Sequence, residues 1–213
     1  MDFIMFCLEK REVLLFATLR HIEVSAIAVV ISVVVAVPLG ILMTRYRKLA
    51  HVVVNSANIG QTIPSLAILG LVIPVLGIGL KPAVFAIVIR GVLPILNNTY
   101  SGIVNVDRFL IEAGRGMGMK NREILTLVEI PLSFPVIMAG IRTAAVLSIS
   151  VAALAALIGA GGLGDLIFQG IVMADRNLLL AGSIPTALLA VGTDVGLGWM
   201  EKRVKRLAAK TVI

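Results

Sequence analysis

The chain has 213 residues, of which 59% are hydrophobic and only 15% charged, and its mean hydropathy is +1.04. Soluble domains run about 45–50% apolar and about 25% charged, so that class is excluded, and so is a transmembrane barrel, whose strands are short and alternating. The net charge of +7 does not point to nucleic acid, because the basic residues stand in short gaps beside long apolar stretches, where membrane topology accounts for them.

Residues 1–20 mix Phe3, Ile4, Phe6, Val13, Leu14, Phe16 and Leu19 with charges. Glu9, Lys10, Arg11 and Glu12 interrupt the apolar core that a cleavable signal peptide needs. The preferred reading is an interfacial helix on the outer surface; an extension of the first span also fits. Cys7 is the sole cysteine, so no intrachain disulfide can form.

Five spans follow, giving an all-α integral membrane protein read as one domain over residues 1–213. Each span is close to the ~20 residues that cross a bilayer. The first covers Ile22 to Met43, with Pro38 late in it. The second covers Val52 to Leu76 and carries Asn55, Ser56, Asn58, Gln61, Thr62, Pro64 and Ser65. Polar groups in hydrocarbon need partners, so these face protein or a water-filled path. Asn58, Gln61, Thr62 and Ser65 are candidates for lining a translocation path, and a broken helix here would match how transporters build sites. Hydrogen bonding between helices is the competing explanation.

The third span covers Pro82 to Ile103. Arg90 lies roughly 12 Å into it, near the midplane, where an arginine costs about 2.5–3.5 kcal/mol. It must face the bundle, a cavity or a partner. Attraction for a substrate carboxylate is one reading; pairing with an acid or with backbone carbonyls is the other. Asp194 is a poor match in depth. The fourth span, Pro135 to Ile158, is rich in small residues, among them Ala144, Ala145, Ser148, Ala152 and Ala155. The fifth, Leu178 to Trp199, has Gly192 and Gly196. Such residues permit close helix approach, within the chain or against a second subunit.

Orientation follows from lysine and arginine. Arg45, Arg47 and Lys48 follow span one; Arg108, Arg115, Lys120 and Arg122 follow span three. Lys202, Arg203, Lys205, Arg206 and Lys210 follow span five. The opposite face has fewer: Lys10, Arg11, Arg20, Lys81 and Arg176. The N-terminus is therefore expected outside and the C-terminus in the cytoplasm, with the basic tail as a surface anchor on membrane lipid. Tyr46, Tyr100 and Trp199 all fall at the cytoplasmic interface.

The cytoplasmic loop, about residues 104–133, is long for a connection. Phe109, Leu110, Ala113 and Met117 recur at helical spacing. Gly114, Gly116 and Gly118 are expected to break that helix. Asn121 is a candidate N-cap for a second helix through Leu127, with Pro131 and Pro135 closing it. Such a helix–glycine–helix suits close approach by another protein; an amphipathic helix lying on the membrane fits the same spacing.

Other patterns carry less. Gly159, Gly161 and Gly164 spell GxGxxG, but a dinucleotide site needs a preceding strand, and here the run follows an apolar span on the outer side. Gly161, Gly162, Gly164 and Asp165 are read as a tight outer turn or the outer rim of the path. No GxxxxGK[ST] occurs, Lys120 following Met119 rather than glycine, so no ATP-binding loop is expected in this chain. His21 and His51 are isolated, and no metal-ligand spacing or Ser/His/Asp arrangement is present.

The run EAGRGMGMKNREILTLVEIP, Glu112 to Pro131, resembles the "EAA" loop of permeases of ATP-binding-cassette importers. Glu112, Ala113, Gly118, Val128, Ile130 and Pro131 keep the family spacing, with Gly114 in place of the second alanine. The five-span plan is similar to the methionine-importer branch. The runs Gln61 to Gly79, Leu93 to Ile103, Pro135 to Ala144 and Leu157 to Ile167 resemble permeases of glycine betaine, carnitine and choline importers. The resemblance implies a multi-pass subunit of the bacterial inner membrane that carries compatible solutes. It makes Glu112, Ala113, Gly114, Arg115, Gly116, Met117, Gly118 and Met119 the coupling element for a cytoplasmic ATPase dimer, where ATP and magnesium would bind. A second permease subunit and an extracytoplasmic substrate-binding protein complete the implied assembly, with neither an ATPase nor a binding domain fused to this chain. Transport of methionine or another amino acid, and a stand-alone secondary transporter, are the alternatives.

Overall fold

The structure, a computed structural model, describes residues 3–211, without the side chains of 47–49, 51 and 204–211. The expectations for His51, Arg47, Lys48, Lys205, Arg206 and Lys210 as side chains therefore lie outside the described residues. Among those described, the chain is helical and has no strand.

A short helix, α1 (Phe3–Glu9), precedes α2 (Arg11–Arg45). At 35 residues, α2 is about 52 Å long and overshoots a ~30 Å hydrocarbon core. Residues 11–20 thus extend the first span, and the interfacial helix expected over 1–20 shrinks to α1. Phe6 explains the fold-back: it is buried with Ala17, Leu163, Leu166, Leu178 and Ala181. Ile4, Met5 and Leu8 of α1 stay exposed, so one buried side chain anchors the helix to the protein.

The second span is broken. Helices α3 (Arg47–Thr62) and α4 (Ser65–Leu76) meet at a 101° bend. Pro64 explains the place: it lacks an N–H and pushes Ile63 into an extended conformation, φ −71° and ψ 125°. Helix α5 (Leu80–Val104) follows as the central rod. It packs on α2 on one side and on α8 (Ile130–Ala155) on the other.

Missing side chains allow these contacts. A Cβ on Gly91 of α5 would stand 2.7 Å from Ser32 Oγ of α2. One on Gly40 would stand 2.7 Å from Thr99, and one on Gly140 of α8 would stand 2.7 Å from Asn98. Three helices therefore touch nearly backbone to backbone, as membrane helices do when dispersion rather than water exclusion holds them.

Two expectations change at the fourth and fifth spans. The fourth does not begin at Pro135. A short α7 (Asn121–Ile124) runs through a π turn, Leu125–Glu129, straight into α8. The Ile130 N–H reaches back to the Leu125 carbonyl. Pro131 sits just past this change of ladder, where a missing N–H does least harm, so neither proline ends a helix. In the fifth span, α10 (Arg176–Thr211), a Cβ on Gly192 or Gly196 would meet nothing within 4 Å among the described residues. The close approaches are instead at Gly182, against Leu163 and Ile167, and at Gly198, against Arg142.

A 3-10 turn, Ala156–Ile158, leads to α9 (Leu163–Val172), which packs beneath α10. A Cβ on Gly164 would stand 2.1 Å from the Ala153 carbonyl oxygen. Gly164→Ala should therefore destabilise the purified protein by about 1–3 kcal/mol, whereas Gly192→Ala, in open space, should be neutral or slightly stabilising. Thermal unfolding in detergent checks the pair; equal melting temperatures would refute the packing account.

Candidate functional site

The polar groups gather in four places along the bundle. The first is the loop from α5 to α8. Asp107 caps α6 (Arg108–Gly116) by accepting from the Phe109 N–H at 2.9 Å. Arg108 pairs with Glu112 one turn on at 2.9 Å, an exposed pair worth little. The glycines do not break the helix where expected, since α6 runs through Gly114 to Gly116. Gly114 is buried, with Met119 Sδ 3.2 Å from where its Cβ would be and Ile124 behind it. The turn comes at Met117 and Gly118, the latter at φ +85°. The Met119 N–H then returns to the Gly114 carbonyl at 3.1 Å.

Lys120, not Asn121, takes the N-cap of α7, and its N–H donates to Glu123 Oε2 at 2.7 Å. The result is a tight helical hairpin. Glu112, Ala113, Arg115, Gly116 and Gly118 are all exposed and Met119 is half-buried. Phe109 and Met117 stand out at 73% and 76% exposure. They do not face the chain's own core.

The second place is the bend in the second span. Arg90 of α5 reaches it, Nη1 donating to the carbonyls of Gln61 at 3.0 Å and Ile63 at 3.3 Å. Thr62 Oγ1 donates to the Ile59 carbonyl at 2.7 Å. A cation thus lies at the negative end of α3 and satisfies carbonyls that the break frees. Of the two sequence readings of Arg90, the structure shows the pairing with carbonyls. Asn58, Gln61 and Thr62 are exposed and Ser65 half-exposed, all close to this bend in the chain.

The third comprises two ion clusters that sequence reasoning missed. Arg45 at the end of α2 pairs with Glu129 of the π turn. Glu129 is buried, its side chain only 7% exposed. Arg142 of α8 donates to both carboxylate oxygens of Asp194 of α10, at 2.6 Å each, and lies 3.6 Å from Glu201. Its guanidinium sits over Gly198, 3.0 Å from where a Cβ would be. Asp194, Gly198 and Glu201 are spaced four and three apart and so form one helical face. Pairings across 84 and 52 residues leave no local trace; matching depth of opposite charges in antiparallel spans was the available signal.

The fourth is the turn that leads from the 3-10 turn into α9. Gly159, Gly161 and Gly162 have φ of +79°, +79° and +97°, values that favour glycine. The Gly79 N–H donates to the Ile158 carbonyl at 2.6 Å, and Arg20 Nε donates to the Ala160 carbonyl at 3.1 Å. Gly161 and Gly162 therefore form the expected turn, but Gly164 and Asp165 belong to the first turn of α9. Burial pushes the Asp165 carboxyl above its ordinary pKa. No His/Cys/Asp/Glu cluster with metal-ligand geometry occurs among the described residues.

With this geometry fixed, comparison with known proteins is direct. The family described as "Binding-protein-dependent transport system inner membrane component" matches residues 36–206. The carnitine transport permease protein OpuCB of Listeria monocytogenes is 50% identical over 191 residues, covering 90% of this chain and 88% of that protein. The glycine betaine/carnitine/choline transport system permease protein OpuCB of Bacillus subtilis is 48% identical over the same shares. The osmoprotectant import permease protein OsmW of Salmonella typhimurium is 42% identical over 96% of each chain. Among solved structures, an inward-facing MetNI methionine ABC transporter matches with TM-score 0.79 at 20% identity, over 90% of this chain and 95% of that one. At that identity the likeness speaks for the fold.

The buried Glu129 makes its pair testable. Arg45→Met strands a carboxylate and should cost about 2 kcal/mol. Adding Glu129→Gln should return most of it. Melting temperatures of the single and double variants check this, and purely additive losses would show that the pair does not couple.

Proposed function

The chain belongs to the family of binding-protein-dependent transport system inner membrane components, and from that premise we propose that it is the permease of an importer for quaternary-amine compatible solutes such as glycine betaine, carnitine or choline. It is a transport subunit, and ATP hydrolysis belongs to a separate ATPase subunit. Curated relatives at 42–50% identity carry names of this solute class. Methionine transport is not favoured, since only the fold is shared with that transporter.

One structural observation supports the way the subunit would work. Helix α5 carries Arg90 at the bend and ends at the docking hairpin. Val104 is fourteen residues beyond Arg90, about 21 Å along a continuous helix. A push on Glu112–Met119 from a closing ATPase dimer would reach the bend through this rod. The exposed Phe109 and Met117 fit insertion into a partner's cleft. Asn58, Gln61, Thr62 and Ser65, beside the bend, would line the path at the junction with a second permease subunit. The outer turn would face a substrate-binding protein, with the N-terminus outside and the C-terminus in the cytoplasm.

Selectivity would lie mainly in the binding protein. Aromatic faces hold quaternary ammonium groups, and this chain has one Trp and two Tyr. Trp199 and Tyr46 are exposed near the ends of α10 and α2, far from an outer site.

The double variant Glu112→Lys/Gly118→Trp should fold yet lose an ATPase subunit that co-purifies with the wild-type chain from its native membrane. Radiolabelled glycine betaine and choline uptake should fall with it. Absence of any ATPase from the wild type, with uptake intact, would favour a stand-alone transporter.

Arg90→Gln should slow uptake at least about tenfold, the effect of losing even one hydrogen bond from a charged donor, while leaving ATPase binding unchanged. Full uptake would remove Arg90 from the mechanism.

A further inference from the structure

Between α2 and α10, floored by α8, lies an open groove of about 650 Å³. Small-molecule sites typically hold about 300–1,000 Å³. Its walls are almost wholly apolar: Ile22 and Val30 on α2, Ile149 on α8, Leu189, Gly196 and Met200 on α10. His21 closes the end remote from the α10 C-terminus. It is buried, and its Nε2 is turned inward to the Ile149 carbonyl at 3.0 Å.

The other end is different. Trp199 lines it, and the Arg203 guanidinium stacks on the indole, 3.7 Å from the ring centroid. Gly196, Met200 and Arg203 lie four and three residues apart, on one stripe of α10. Glu201 is turned to Arg142. The groove is therefore an apolar slot with a cation, Arg203, at one mouth.

Its length selects the occupant. Leu189 to Met200 spans eleven residues, about 16 Å of helix, close to the ~15 Å depth of one bilayer leaflet. We infer that this groove is a binding site for an anionic phospholipid, one acyl chain lying against Gly196 and the phosphate held at Arg203. Charge complementarity at the mouth favours an anionic headgroup over a zwitterionic one.

Trp199 is the only tryptophan, so it reports the site directly. The full-length chain would be reconstituted in phosphatidylcholine vesicles containing a minor fraction of brominated phosphatidylglycerol or, separately, of brominated phosphatidylcholine. Bromine near Trp199 quenches its fluorescence. Brominated phosphatidylglycerol should quench at about fivefold lower mole fraction, the enrichment expected for one surface cation. Arg203→Gln should abolish that preference. Gly196→Leu fills a position with open space around it, and should reduce quenching by both lipids. Equal quenching by the two lipids in the wild type would overturn the inference. So would quenching by both lipids that survives Gly196→Leu at its wild-type level. Protection from both lipids, with cross-links forming between copies through α10, would assign the groove to a second copy of the chain instead.

Discussion

A helix that breaks inside hydrocarbon frees carbonyls that no water can reach, and each costs several kcal/mol unless a donor arrives. The second span breaks at Ile63 and Pro64, and the donor that arrives is the Arg90 guanidinium. The same contact answers a second cost, since an arginine in a span needs acceptors as much as the carbonyls need a donor. Two features that would each be expensive alone stabilise one another. The bend stands only because α5 holds it, and α5 holds its position only because glycines let it lie close to α2 and α8.

That closeness carries the rest of the bundle. Gly91, Gly40 and Gly140 remove the side chains that would separate the central helices. At the Gly91 crossing the facing side chain is small and hydrogen-bonded to its own helix, Ser32 Oγ donating to the Ala28 carbonyl. The ion clusters act further out. Arg142 and its two acids fasten α8 to α10, and Arg45 with Glu129 fastens α2 to the π turn. The bundle is thus packed by absence along α5 and tied by charge between α8 and α10 and between α2 and the π turn.

The five-span plan was legible in the sequence, because hydropathy over twenty residues is a strong signal, and so was the bend, because Pro64 sits among amides. The helical hairpin between α5 and α8 was legible as a helix–turn–helix in that loop. Its inner geometry was not: three glycines look alike in a string, yet Gly114 is packed against Met119 and Ile124 while Gly118 makes the turn. Gly192 and Gly196 looked like a contact face, yet a Cβ on either would meet nothing within 4 Å among the described residues, whereas Gly198 seats Arg142. The salt bridges needed the relative depth and rotation of two helices, which no local pattern encodes. The division of residues 1–20 into α1 and an extended α2 turned on the pocket that α9 and α10 build for Phe6, a tertiary fact.

The π turn has a consequence for how the hairpin is aimed. A residue in an α-helix advances the chain by about 100°. The Ile130 N–H reaches the carbonyl five residues back, so this turn holds one residue more than a regular one would. The wider turn absorbs that residue, so α6 and α7 keep nearly the facing that a plain helix one residue shorter would give them. If Leu125–Glu129 returned to α-helical bonding with no residue removed, the hairpin would swing about the fourth span by roughly a quarter of a circle. The direction in which Glu112–Met119 points thus depends on the hydrogen-bond ladder of five residues outside the hairpin.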